Sequence, residues 1–184
     1  MEKIEDLIEL KRQMSELRNT IWVNEILFSF NWWFLLFIAI VPWILWWSFL
    51  ADKKRITTVL VYGLQMSVAA TLLDDMGSYF LRWIYESQLA PVTPRLNPIN
   101  LTVIPITFMF VYQNFTSWKS FLFALVVLSF GASYIVEPIF TYMGIYKILD
   151  WHYIYSFIIY IILGVVNRLI VDKYVHVQMK KELA

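Results

Sequence analysis

The chain has 184 residues, of which 60% are hydrophobic and 16% charged, with a net charge of +1. Soluble domains run nearer 45–50% apolar and about 25% charged, so this is the composition of a membrane protein. The charge balance offers no footprint for nucleic acid, and the absence of cysteine excludes disulfides, thiolate metal sites and a thiol nucleophile.

Residues 1–29 are too charged to span a bilayer. Leu7, Leu10, Met14, Leu17, Ile21, Asn24 and Phe28 follow a 3-4 rhythm that predicts an amphipathic N-terminal helix. Such a stripe can serve a partner subunit or a second copy of the chain, or it can lie on membrane lipids or on its own bundle. Three heptads are few and the stripe turns aromatic toward its end, which favours the second reading. The first apolar run begins only near residue 30 and lacks a small-residue cleavage site, so the first span is expected to act as an uncleaved anchor.

Five spans are predicted, at about 30–50, 56–75, 99–115, 119–142 and 152–171, giving an all-α polytopic transmembrane bundle. Pro42 lies inside the first, where a kink is expected, and Asp52-Lys53-Lys54-Arg55 ends it. In the second, Gly63, Ser67, Ala70 and Asp74 form a small-residue stripe suited to close packing. Asp75 then falls roughly 28 Å along that helix, near the far edge of the hydrocarbon. Adjacent carboxylates on a helix point about 100° apart, so only one of Asp74 and Asp75 can easily face inward. Residues 78–90 read as an interfacial amphipathic helix, with Arg82 and Glu86 spaced for an i,i+4 pair. Pro91, Pro94 and Pro98 stiffen the loop after it. The third span is short and carries Pro105. The fourth brings Glu137, followed by Pro138, roughly 27 Å along from Lys119. A charged tail, 173–184, ends the chain.

An odd number of spans separates the termini. Excluding the N-terminal helix, Lys and Arg number eight on the side of Asp52–Arg55, Lys119 and the C-terminus, against Arg82, Arg95 and Lys147 on the other. The positive-inside rule then sets the C-terminus in the cytoplasm. Whichever way the chain is threaded, one end of the bundle should collect Asp74, Asp75, Arg82, Glu86, Asn97, Asn100, Glu137, Asp150 and His152. Tyr79, Trp83, Tyr85, Tyr134, Tyr142 and Trp151 join them, so the predicted site is an acidic, aromatic-walled mouth.

An ionisable residue at membrane depth is a functional candidate by default. Glu137 or Asp75 could act as an acid or hold a cation. The alternative for Glu137 is a structural carboxylate satisfied by Arg82 or by Tyr and Asn side chains. His152 and His176 have no second His or Cys nearby in sequence and read as interfacial residues. The sequon Asn114-Phe115-Thr116 abuts the basic side and reads as chance. With no phosphate-binding loop, nucleophile elbow or zinc-protease signature, no cofactor or metal is expected. The candidate ligands are lipids, small amphiphiles, cations or a partner subunit.

The order of Trp33, Pro42, Trp46, Asp52-Lys53-Lys54-Arg55, Tyr62-Gly63, Asp75-x-Gly77, Trp83-x-Tyr85, Pro91, Pro105, Tyr112-Gln113, Glu137-Pro138, Gly144-x-Tyr146 and Trp151 resembles an uncharacterised family of small multi-pass membrane proteins of endospore-forming Bacillota. The resemblance covers residues 30 to 172 and implies a bacterial plasma membrane location. Asp75, Trp83-Ile84-Tyr85 and Pro105 also look like the order in lycopene cyclase-domain membrane proteins. That likeness implies an isoprenoid-modifying enzyme with acidic proton donors. Here Pro105 is followed by Ile106-Thr107-Phe108, so the two glutamates of that pattern are missing and Glu137 or Asp75 would have to replace them.

Overall fold

The computed structural model describes residues 2–92 and 97–182, with side chains to residue 175 in the last helix. Pro94 and Arg95, and the side chain of His176, lie outside the described residues. Among the described residues, four helical stretches are long and apolar enough to cross a membrane: Phe30–Leu50, Ile56–Tyr79, Trp118–Tyr142 and Tyr153–Val175. A shorter fifth, comprising a π-helical turn Ile99–Val103 and α4 Ile104–Asn114, is packed among them. The protein is an all-α polytopic membrane bundle.

The N-terminal helix α1 (Glu2–Ile21) runs into a π turn at Trp22–Ile26. A sharp bend with Phe28 at φ 61° then leads to Ser29, whose side chain caps the next helix by accepting from the Trp32 amide. That helix, α2 (Phe30–Leu45), continues as a π turn to Leu50. Its first turn is stapled to distant loops: Asn31 Nδ2 donates to the Met143 carbonyl at 2.8 Å and Trp32 Nε1 to the Leu89 carbonyl at 3.1 Å.

Four helical segments form a ring. α3 (Ile56–Tyr79) packs on α4 and on α7 (Tyr153–Glu182), and α5 (Trp118–Gly131) packs on the same two from the opposite side. The small-residue stripe read from the sequence is the buried face of α3: Gly63, Ser67, Ala70 and Asp74 are all buried. A Cβ at Gly63 would collide with the side chain of Met109, so glycine there sets the α3–α4 separation.

The basic end of the ring is densely filled. Tyr62 stacks on Tyr112 with centroids 4.4 Å apart and donates its hydroxyl to the Gly164 carbonyl at 3.2 Å. Phe121, Leu125, Met66 and Met109 complete this core. Arg168 is only 5% exposed and closes the end. It pairs with Asp172 at 3.3 Å, donates to the carbonyls of Phe115 and Thr116, and lies over the rings of Trp118 and Phe121. At the neighbouring loop, the hydrogen bond from Arg55 holds the Asp52 carboxyl below its usual range.

One expectation is corrected. Residues 78–90 do not form an interfacial helix: α3 ends at Tyr79, and Trp83–Tyr85 is a strand, β1. It pairs antiparallel with β2 (Tyr146–Ile148), Trp83 opposite Ile148 and Tyr85 opposite Tyr146. The aromatic, β-branched run Trp-Ile-Tyr suits a strand, and the extended ribbon separates Arg82 from Glu86. Arg82 pairs instead with Asp150. The charged tail continues α7, which runs on through Glu182.

Replacing Arg168 by Met is expected to destabilise the bundle by about 2–3 kcal/mol, because it strands buried carbonyls and leaves half-buried Asp172 with the neutral Tyr112 hydroxyl in place of its ion-pair partner. Replacing Arg82 by Gln at its exposed pair should stay within about 0.5 kcal/mol. Thermal melts of both variants in one detergent would rank them, and equal melting points would contradict the assignment of Arg168 as the closing group.

Candidate binding cavity

Opposite the Arg168 end, the ring of helices does not fill. A cavity of about 580 Å³ lies there, lined from every side of the ring: Ala70 and Asp74 of α3, Thr107 and Phe108 of α4, Leu128 and Gly131 of α5, Tyr160 and Leu163 of α7. The volume is in the range of pockets that hold small organic ligands, about 300–1,000 Å³.

Prolines shape two of its walls. Proline lacks the amide that would bond to the carbonyl four residues earlier, and its ring crowds that carbonyl. In each case the helix widens into a π turn just ahead of the proline. The Ile104 amide reaches back to Ile99 before Pro105, and the Glu137 amide reaches back to Ala132 before Pro138. The wider turns carry the lining residues Ile99, Asn100 and Val103 on one side and Ala132, Ile135 and Val136 on the other. Glu137 follows directly, as the first residue of the short helix α6 (Glu137–Tyr142).

The polar groups gather at one end. Glu137 accepts from Tyr160 Oη at 3.0 Å and from Ser156 Oγ at 3.0 Å, and Ser156 in turn accepts from Trp151 Nε1 at 2.9 Å. Tyr146 of β2 faces the same carboxylate. Burial, and then the Glu137 charge, push its hydroxyl above the ordinary range, so it stays a neutral donor. Asp74 accepts from Trp83 Nε1 at 3.0 Å and Tyr85 Oη at 2.6 Å, and Asn97 Nδ2 bonds the Tyr85 hydroxyl at 2.7 Å. Gly77 lets Trp83 sit directly against α3, where any Cβ would strike the indole. The ribbon and the edge-on pair Trp83–Trp151, 5.0 Å between centroids, thus lie across the polar end.

Of the sequence candidates, Asp74, Arg82, Trp83, Tyr85, Asn100, Glu137 and Trp151 line the cavity. Asp75, Glu86, Tyr134 and His152 do not. Asp75 sits one step round the helix and is only half-buried. Tyr134 packs outward on Phe130, Tyr153 and Phe157, and exposed His152 rests on Tyr155. Tyr79 and Tyr142 point away, at 81% and 94% exposure. Arg82 is engaged by Asp150 and leaves Glu137 to neutral hydroxyl donors. The sequence reading did not pick out Ser156, Tyr160 and Tyr146 as partners of Glu137. Ser156 and Tyr160 are spaced i,i+4 on α7, which is the signal that could have found them.

Two features bear on occupancy. Asn100, 5% exposed on the cavity wall, has an amide nitrogen with no hydrogen-bond partner among the described residues. Leu73, Met76 and Phe80 on one side, and Val127 and Ile135 on the other, line the cavity and are also exposed. The cavity therefore meets the surface between apolar side chains of the spans. No protein-family model, curated protein or solved structure matches this chain.

A double-mutant cycle of Asp74→Ala and Tyr85→Phe is expected to show coupling of about 1–2 kcal/mol in unfolding free energy. Additive losses would mean that the carboxylate does not hold the ribbon to α3.

Proposed function

We propose that this membrane protein binds a single-chain amphiphile, with the polar group at the Glu137 end and the chain toward Phe108 and Leu163. The observation that carries the reading is the cavity itself: apolar along its length, with its carboxylates, hydroxyls and indoles at one end. Counting about 1.5 Å per residue, Asp74 lies some 27 Å along α3 and Glu137 some 28 Å along the helix that starts at Trp118. The polar end thus sits at interface depth and the apolar part toward the bilayer midplane, as an amphiphile in the same leaflet would lie. Asn100 would supply a donor to a ligand oxygen. The opening between exposed apolar side chains suits entry from the lipid phase. The reading takes the site to be in a bacterial plasma membrane, in keeping with the resemblance noted above.

Gly131 offers a clean test. It lines the cavity, and a Cβ there would meet nothing within 4 Å. Gly131→Phe should fill the space while leaving the fold intact, since glycine is itself about 1 kcal/mol unfavourable in a helix. Native mass spectrometry of protein purified in mild detergent is expected to show a bound species of single-chain mass in wild type. Gly131→Phe should lose it without melting earlier, and Glu137→Gln should weaken it. A wild type with no adduct, together with a Glu137→Gln variant that melts well below it, would make the carboxylate structural and end this reading.

A further inference from the structure

The N-terminal helix has a surface that the cavity does not explain. Every residue of α1 is exposed except Arg18, which is half-buried, and among the described residues α1 packs mainly on its own continuation at Trp22–Ile26. The expectation that its stripe rests on the bundle is therefore not met. Leu7, Leu10, Met14, Leu17 and Ile21 remain uncovered, with Leu10 and Leu17 each 62% exposed. The aromatic end of the stripe is occupied: Phe28 packs on Trp32 and Trp33, with centroids 5.2 and 6.1 Å apart, and Trp22 is tied to the Gln88 carbonyl. That fixes the base of the helix and leaves its aliphatic part free.

Lipid is a poor match for this face. Helices that lie on bilayers carry Lys and Arg on the polar side, whereas residues 2–28 hold six acidic residues against four basic. A second copy of the chain is a better one. With Leu7, Met14 and Ile21 at a positions and Leu10 and Leu17 at d, the flanking g and e positions place Asp6 opposite Lys11 of the other helix in a parallel pair. An antiparallel pair would instead set Lys11 and Arg18, both at e, against each other. Two copies in one membrane share their orientation, so upright helices meeting on an axis along the membrane normal run parallel. Two heptads alone are marginal in water, but anchoring both helices in one bilayer raises their effective concentration.

We infer that α1 pairs with α1 of a second copy as a short parallel coiled coil, through Leu7, Leu10, Met14, Leu17 and Ile21. The interface is independent of the cavity and of what fills it.

The absence of native cysteine makes the test direct. Single variants Leu10→Cys, Leu17→Cys, Arg12→Cys and Ser15→Cys of the full chain, in phosphatidylcholine proteoliposomes, would be oxidised and run without reductant. All four positions are exposed, so the fold is not at risk. Disulfide-linked dimer is expected at positions 10 and 17 and not at 12 or 15. On the Leu10→Cys background, Asp6→Lys should lower the cross-linked fraction severalfold, and adding Lys11→Asp should restore it. Equal cross-linking at all four positions, none at 10 and 17, or no rescue by the charge swap would overturn the proposal.

Discussion

A proline inside a membrane-spanning helix removes an amide where no water can replace it, and the freed carbonyl must find another donor. Much of the architecture follows from how this chain meets that demand. The carbonyl that Pro105 leaves behind is that of Leu101, and Trp43 Nε1 of α2 donates to it at 3.2 Å while also reaching the Thr102 hydroxyl. Thr102 returns a hydrogen bond to the Ala39 carbonyl near Pro42. The proline of one span thus anchors α2 to the outside of the ring. Widening ahead of Pro105 and Pro138 keeps the neighbouring walls from closing on each other, and the cavity lies between them.

The two ends of the ring show opposite solutions to one packing problem. At the Arg168 end, stacked tyrosines, a buried guanidinium and interlocking Met and Phe side chains fill the interior. At the other end several lining positions are small or short: Ala70, Gly77, Gly131, Ala132 and Ser156. Their volume does not span the gap set by the wider turns. Of the large groups there, Trp83, Trp151 and Tyr85 sit across the top and are held there by Asp74 and Ser156.

Much of this was legible because membrane sequence is a coarse code that reports depth well. The apolar runs, the small-residue face of α3 and the single inward carboxylate of the Asp74–Asp75 pair all follow from helical geometry and length alone. What failed was local. Tyr79 to Leu89 has the charge spacing of an amphipathic helix, and only its partner, Tyr146–Ile148, makes Trp83–Tyr85 a strand. A three-residue strand carries almost no pattern of its own. Tyr160 and Ser156 were hidden differently, since inside an apolar run they read as interfacial or filler residues until Glu137 is seen beside them. The orientation of Tyr134 is set within the π turn Ala132–Val136, where counting by 3.6 breaks down, and that of His152 by the connection between β2 and α7.

The ribbon also orders events in time. Its strands lie about sixty residues apart in the chain, with three helical segments between them. When β1 leaves the ribosome its partner does not yet exist, and pairings of such long sequence separation form slowly. Until α5 and α6 have been inserted, Trp83 and Tyr85 are held by Asp74 and Asn97 without a pairing strand, and the top of the cavity has no second strand. The chamber therefore closes only once β2 and α7 are made, and the dense end, whose Arg168 lies later still on α7, waits on the same last helix.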